Sequence, residues 1–216
     1  MRKMVHTIVR LFAAVPIPCS RGAKRTGRAA CAAALVLALL LGAPSGPAPA
    51  SAADSALPIF GEGSVEVRVY TDYFCGPCAA EEKEVMAAIA ELVAKNRIRV
   101  LLIDTPLFPE TVLYAEYFLA ALNAKREFGR AVAARAALFE AARLKIQKKA
   151  ELEAFLAKQG LEIRLSDPTP VFTAFSRYIR EDRINSTPTV VIAGPRGKQV
   201  LGSKEQILKA LADLRN

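Results

Sequence analysis

Between residues 65 and 78 the hydrophobic rhythm of the chain changes once, and two cysteines bracket the change. Val65, Val67 and Val69 alternate with Glu66 and Arg68, the period-two pattern of a half-buried strand. From Cys78 onward Val85, Met86, Ile89, Leu92 and Val93 recur at helical spacing, with Glu81, Glu84, Glu91 and Lys95 elsewhere. The junction reads Phe74-Cys75-Gly76-Pro77-Cys78. A strand that turns into a helix through this spacing puts both sulfurs on one side of the first turn, close enough to bond. Cys75 then falls at the helix N-terminus, where the dipole and free N–H groups favour a thiolate. Cys78, one turn in, is expected to be more buried and suited to attack a mixed disulfide. Pro77 fits a first turn because no N–H is needed there. Gly76 is expected to permit a tight turn and to leave Cys75 accessible.

Three other uses of the pair compete with redox chemistry. A static disulfide closing so short a loop restricts the unfolded chain little. Structural zinc usually takes four ligands, whereas Cys75 and Cys78 are the only cysteines after residue 53 and the single histidine, His6, precedes it. Chance is the third, and the strand-to-helix setting argues against it. Thiol–disulfide exchange is the expected use, with no cofactor and no metal.

The remaining pattern is strand, helix, strand, several helices, strand, strand, helix. "RIRVLLIDTPL" is a second strand, nearly all apolar near its end and so expected to be buried between helices. Residues 110–183 are helical in pieces, with stripes at Leu113, Tyr114, Tyr117, Phe118 and Ala121, then at Val132, Leu138, Phe139, Ala142 and Ile146. Leu152, Phe155 and Leu156 mark a third piece, stopped by Gly160, and Phe172, Phe175, Tyr178 and Ile179 a fourth. These aromatics are read as core. "TVVIAG" and "KQVLG" flank a Pro-Arg-Gly turn as a hairpin. Ser203 caps a last helix, with Gln206 three residues on.

The charge of +9 belongs to the leader, residues 1–53. Seven of the 30 basic residues lie there with no acid, leaving 23 bases against 21 acids, so a nucleic-acid partner is not expected. The leader is laid out as an export signal: a basic run ending at Arg28, an apolar core over 29–43, and a small-residue and proline stretch with cleavage expected at Ala50, Ala52 or Ala53. The core is short for a span of about 20 residues, and an uncleaved anchor is the alternative. Cys31 opens the apolar core, where lipidation is not expected, and translation starting at Met4 or later is compatible with the pattern. The 163 residues from 54 to 216 suit one domain. Export implies an oxidising compartment such as the periplasm.

"FCGPC" resembles the active site of thioredoxin-fold oxidoreductases, and "INSTPTVVIAG", residues 184–194, resembles their second signature, a cis-proline opening a strand. The long helical block, about 109–183, is similar to the insertion of the DsbA-like branch of exported thiol–disulfide interchange proteins. The resemblance spans roughly 58–214. It implies an α/β thioredoxin-like fold with a helical insertion between the second strand and the cis-proline strand. It implies a nucleophile at Cys75, a resolving cysteine at Cys78, a tuning dipeptide at Gly76 and Pro77, and substrate contacts at Thr187, Pro188 and Phe74, which stands where thioredoxin has tryptophan. Tyr73 and Phe74 are placed at the rim, as an apolar docking surface or equally as packing. Many relatives keep a buried acid six residues before the first cysteine; here that position is Val69. Asp72 is the nearest acid, though strand alternation sets it on a different footing; Glu81 and Glu82 are further candidates for taking the Cys78 proton, read first as solvated helix charges, and water is the remaining route. The implied partners are proteins bearing thiols or disulfides and a membrane or soluble redox partner, with the chain a monomer. Gly-Pro and the glutamates after Cys78 lean towards a reductase over an oxidase. A redox-inert binding module or chaperone on the same fold is the alternative.

Overall fold

The computed structural model describes residues 56–195 and 197–215. The leader boundary and its cleavage sites lie outside them. Strands β1 (Ile59–Phe60), β2 (Val65–Thr71), β3 (Ile98–Asp104), β4 (Thr189–Gly194) and β5 (Gly197–Leu201) form one sheet in the order β1-β3-β2-β4-β5. β2 runs parallel to β3, with Val65 opposite Ile98 and Thr71 opposite Asp104, and antiparallel to β4, with Val69 opposite Val190. Parallel neighbours need a crossover. Helix α1 (Gly76–Ala94) supplies it, and its first residue follows directly on Cys75.

Val67, Val69, Val100, Leu102 and Val191 are buried, as expected for strands covered by helices. Four helices separate β3 from β4: α2 (Thr111–Ala124), α3 (Phe128–Arg143), α4 (Lys149–Lys158) and α5 (Thr169–Glu181). They are the helical insertion. Tyr114, Tyr117, Phe118, Leu138, Leu152, Leu156 and Phe175 carry the expected stripes into the core. The second piece is shorter than the stripe suggests. α3 stops at Arg143, Lys145 takes φ 57°, and Ile146 lies beyond the end. Gly160, at φ 73°, follows α4 in the left-handed conformation that lets a chain leave a helix. Helix α6 (Lys204–Asp213) starts at Ser203, whose hydroxyl accepts from Gln206 N–H at 3.4 Å. No helix among the described residues is long and apolar enough to cross a membrane.

Candidate active site

The cysteines lie where β2 leaves the sheet, and Asp72 fixes that exit. Its carboxylate is fully buried and accepts four hydrogen bonds: from Phe74 N–H (2.8 Å), Leu107 N–H (2.8 Å), Phe108 N–H (3.1 Å) and the Thr111 hydroxyl (2.7 Å). One side chain thus ties the cysteine turn to the loop that precedes α2. Asp72 O also accepts from Cys75 N–H at 3.2 Å. Cys75 is the N-cap of α1, with extended φ and ψ, and its sulfur accepts the Cys78 N–H at 3.3 Å. The Cys75 thiol donates to Thr187 O at 3.3 Å. The Thr187–Pro188 peptide is cis. The two signatures, 112 residues apart, therefore meet at one sulfur.

Cys75 and Cys78 are free thiols. Cys75 keeps 8% of its surface and Cys78 1%, so the order of burial is as expected, while Cys75 is less open than the sequence suggests. Burial above all pushes the Cys78 thiol up to about 12, helped by its hydrogen bond with Cys75 and opposed by the Thr187 side chain and the Asp72 backbone. Gly76 is not needed for a tight turn. Its φ is not left-handed, and a Cβ there would meet no atom within 4 Å. Phe74 is half-buried, edge-on to Tyr114 at 4.9 Å and tilted against Phe108 at 6.5 Å. Exposed Leu107 and Phe108 extend this apolar rim. Of the two uses the sequence left open for Tyr73, packing holds: it is core, against Tyr114 and Phe139, because the turn at Asp72 rotates it inward from the rim.

Glu82 is likewise not a solvated charge. Both its oxygens are held by Arg135, Oε1 by Nε at 2.6 Å and Oε2 by Nη2 at 2.8 Å. Nη2 also donates to Thr71 Oγ1 at 2.7 Å, and Nη1 lies 3.6 Å from Asp104. Arg135 is fully buried, with Tyr73, Phe118 and Phe139 rings within 6 Å of its guanidinium. The sequence held a signal for it: Arg135 sits on the same α3 stripe as Val132, Leu138, Phe139 and Ala142, an arginine on an apolar face.

Asp104 ends β3, and among the described residues neither of its oxygens has a hydrogen-bond partner. Burial dominates and pushes its carboxyl up to about 7, with Arg135 and Tyr73 pulling down and Glu82 and Asp72 pushing up. A carboxyl raised in the fold binds a proton that the unfolded chain releases near 3.8. Its contribution to stability is complete below that value and lost as pH rises through about 7. Asp104→Asn is expected to flatten this decline, by up to about 4 kcal/mol between pH 4 and 8 on 1.36 kcal/mol per unit. Urea midpoints of both proteins across that range check it; parallel profiles would show that Asp104 does not titrate there.

A thioredoxin family model matches residues 61–212. The chain belongs to the thioredoxin family. No curated protein matches it. Among solved structures it is similar to a periplasmic thioredoxin-like protein from Salmonella enterica serovar Typhimurium, at 17% identity and a TM-score of 0.55, over 76% of this chain and 92% of that one. It is similar to the catalytic domain of Proteus mirabilis ScsC, at 18% identity and TM-score 0.56, over 76% and 92%. It is also similar to alpha-DsbA1 of Wolbachia pipientis, at 14% identity and TM-score 0.56, over 82% and 94%. At these identities the likeness is one of fold. The architecture is thioredoxin-like, with the helical insertion in the expected place, between β3 and the strand that follows the cis-proline.

Proposed function

We propose that this chain is an exported thiol–disulfide oxidoreductase that exchanges disulfides with partner proteins through Cys75 and Cys78, in the reducing direction. One observation carries the reading: the Cys75 sulfur sits at a helix N-cap, shared between the Cys78 N–H and the carbonyl that precedes the cis-proline. An incoming disulfide approaches over Gly76 and the Phe74, Leu107 and Phe108 rim, beside the Thr187 and Pro188 backbone. The Cys75 thiolate attacks one sulfur, and the other leaves as a thiolate with the bonding pair. Cys78 then attacks Cys75, forms the internal disulfide and releases the second partner thiolate. The substrate is reduced by two electrons and the protein oxidised by two. The reverse sequence would oxidise a partner.

The reducing direction rests on the Gly-Pro dipeptide. The glutamate argument is weaker than it looks in the sequence, because Arg135 neutralises Glu82. Periplasmic location is supported by the leader and by the periplasmic relative named above. The partners are substrate proteins with thiols or disulfides and a separate redox partner, with the chain a monomer. Insulin reduction by dithiothreitol tests the reading. The full-length protein is expected to accelerate it and Cys75→Ser to remove that acceleration. Equal acceleration by both would exclude the two-cysteine reading, and no acceleration by either would return the chain to the inert-module reading, which the 8% exposure of Cys75 favours. Equilibration with glutathione tests the direction. A potential near −270 mV supports a reductase, and one near −120 mV an oxidase.

A further inference from the structure

The second attack requires Cys78 to lose a proton, and nothing so far accounts for its destination. Cys78 is almost wholly buried and its thiol is raised to about 12, so bulk water reaches it poorly. Position 69 on the neighbouring strand is an apolar valine, itself buried. Behind the thiol, however, is a cavity of about 10 Å³, close to the space that one water needs. Its polar walls are Thr71, Cys78, Glu81 and Glu82, and the other walls, Val69, Val85, Pro188, Val190 and Ile207, are apolar.

These polar groups are not equivalent. Glu82 has both oxygens engaged by Arg135, and Thr71 Oγ1 accepts from the same guanidinium. Glu81 Oε2 is shut off from solvent and has no hydrogen-bond partner among the described residues. Cys78 and Glu81 are three residues apart on α1, so they share a helix face. Glu81 as a whole is only half-buried, which gives a proton taken on the inside a way out.

We infer that Glu81 is the group that exchanges the proton with Cys78 across this cavity when Cys78 attacks the mixed disulfide on Cys75. The inference rests on the two-cysteine reading above. The step balances: the Cys78 proton passes to the Glu81 carboxylate, directly or through one water. The Cys78 sulfur bonds to Cys75, and the partner thiolate leaves with the electron pair. In reverse, Glu81 returns the proton as Cys78 leaves Cys75. The charged surroundings suit a group working in both directions. Burial, Glu205 on α6 and Glu84 on α1 raise the Glu81 carboxyl, and Lys204 on α6 lowers it. Lys204 itself pairs with Glu84 at 2.6 Å. Beyond the cavity wall, Arg135 from α3 faces Glu82 and Thr71, with Asp104 of β3 behind it, and β4 with the proline before it contributes only Val190 and Pro188.

The test uses full-length protein carrying Cys19→Ser and Cys31→Ser, so that Cys75 and Cys78 are its only thiols. Reduced protein is mixed with dithiobis(nitrobenzoate), whose thiolate is coloured. The first thiolate reports attack by Cys75 and the second reports resolution by Cys78. Glu81→Gln is expected to leave the first phase unchanged. It should slow the second roughly tenfold to a hundredfold at pH 7, the gap closing as alkaline pH ionises Cys78 without help. Glu81→Asp is expected to restore part of the rate. Glu151→Gln, which removes an exposed charge on α4 that neither lines the cavity nor acts on Glu81, is expected to change neither phase. If Glu81→Gln disturbs folding, Glu81→Ala carries the same expectation. A second phase identical to wild type at every pH in the Glu81 variants overturns the role of Glu81 alone. A wild-type protein with no second phase overturns the two-cysteine reading as well.

Discussion

Full-length Cys78→Ser, again lacking the leader cysteines, is expected to stop as a covalent adduct when given a disulfide-bonded protein such as insulin. The reason is the unequal burial of the two sulfurs. Cys75 keeps 8% of its surface, whereas Cys78 is sealed at 1% exposure and touches the reaction only through Cys75. Serine at 78 leaves the first attack intact and removes the second. In wild type the resolving thiol is already oriented beside the mixed disulfide, and such placement is worth effective molarities of up to about 10⁵–10⁸ M. Without it the adduct waits for an external thiol, a rearrangement on the scale of minutes to hours. A non-reducing gel should show a band of the combined mass that dithiothreitol removes, absent from wild type and from Cys75→Ser. An adduct on Cys75→Ser instead would reverse the two assignments.

The parts of this site that rest on local pattern were legible in the sequence. A period-two strand, Pro77 and a helical stripe locate the cysteines at an N-cap, and "INSTPTVV" places a proline at the head of β4. The helical insertion follows from apolar spacing within each piece, since a helix buries a face defined by its own residues. What the sequence hid depends on partners far along the chain. Asp72 looks like a loop acid until Leu107, Phe108 and Thr111 are brought to it. Glu82 and Glu81 are neighbours on one helix and look alike. Arg135, 53 residues on, takes the first, while the cavity behind Cys78 receives the second. Tyr73 and Phe74 show the same limit, since a turn, not an alternation, decides which of them faces in.

Arg135→Met is expected to lower the stability of the fold by about 3–5 kcal/mol, because the two carboxyls it serves remain buried when it goes. For a domain whose whole stability is on the order of 5–15 kcal/mol, urea unfolding should show the loss as a large fall in midpoint. The cost should depend on pH. At pH 5 Asp104 is protonated, its carboxyl being held up to about 7 by burial, and only Glu82 is stranded. Arg135 pulls the Asp104 carboxyl down, so its loss raises that carboxyl further above the usual range, and the destabilisation grows as pH rises towards 8. Neutralising the cluster completely separates charge from packing. Adding Glu82→Gln and Asp104→Asn to Arg135→Met removes the uncompensated charges while keeping similar volumes, and buried ionic groups replaced as a set are often close to neutral in stability. The triple variant is therefore expected to recover much of the loss and to lack its pH dependence. Should it stay as unstable as Arg135→Met, the guanidinium acts chiefly by filling space between Tyr73, Phe118 and Phe139. The electrostatic account of the cluster would then fail, leaving the cysteine chemistry untouched.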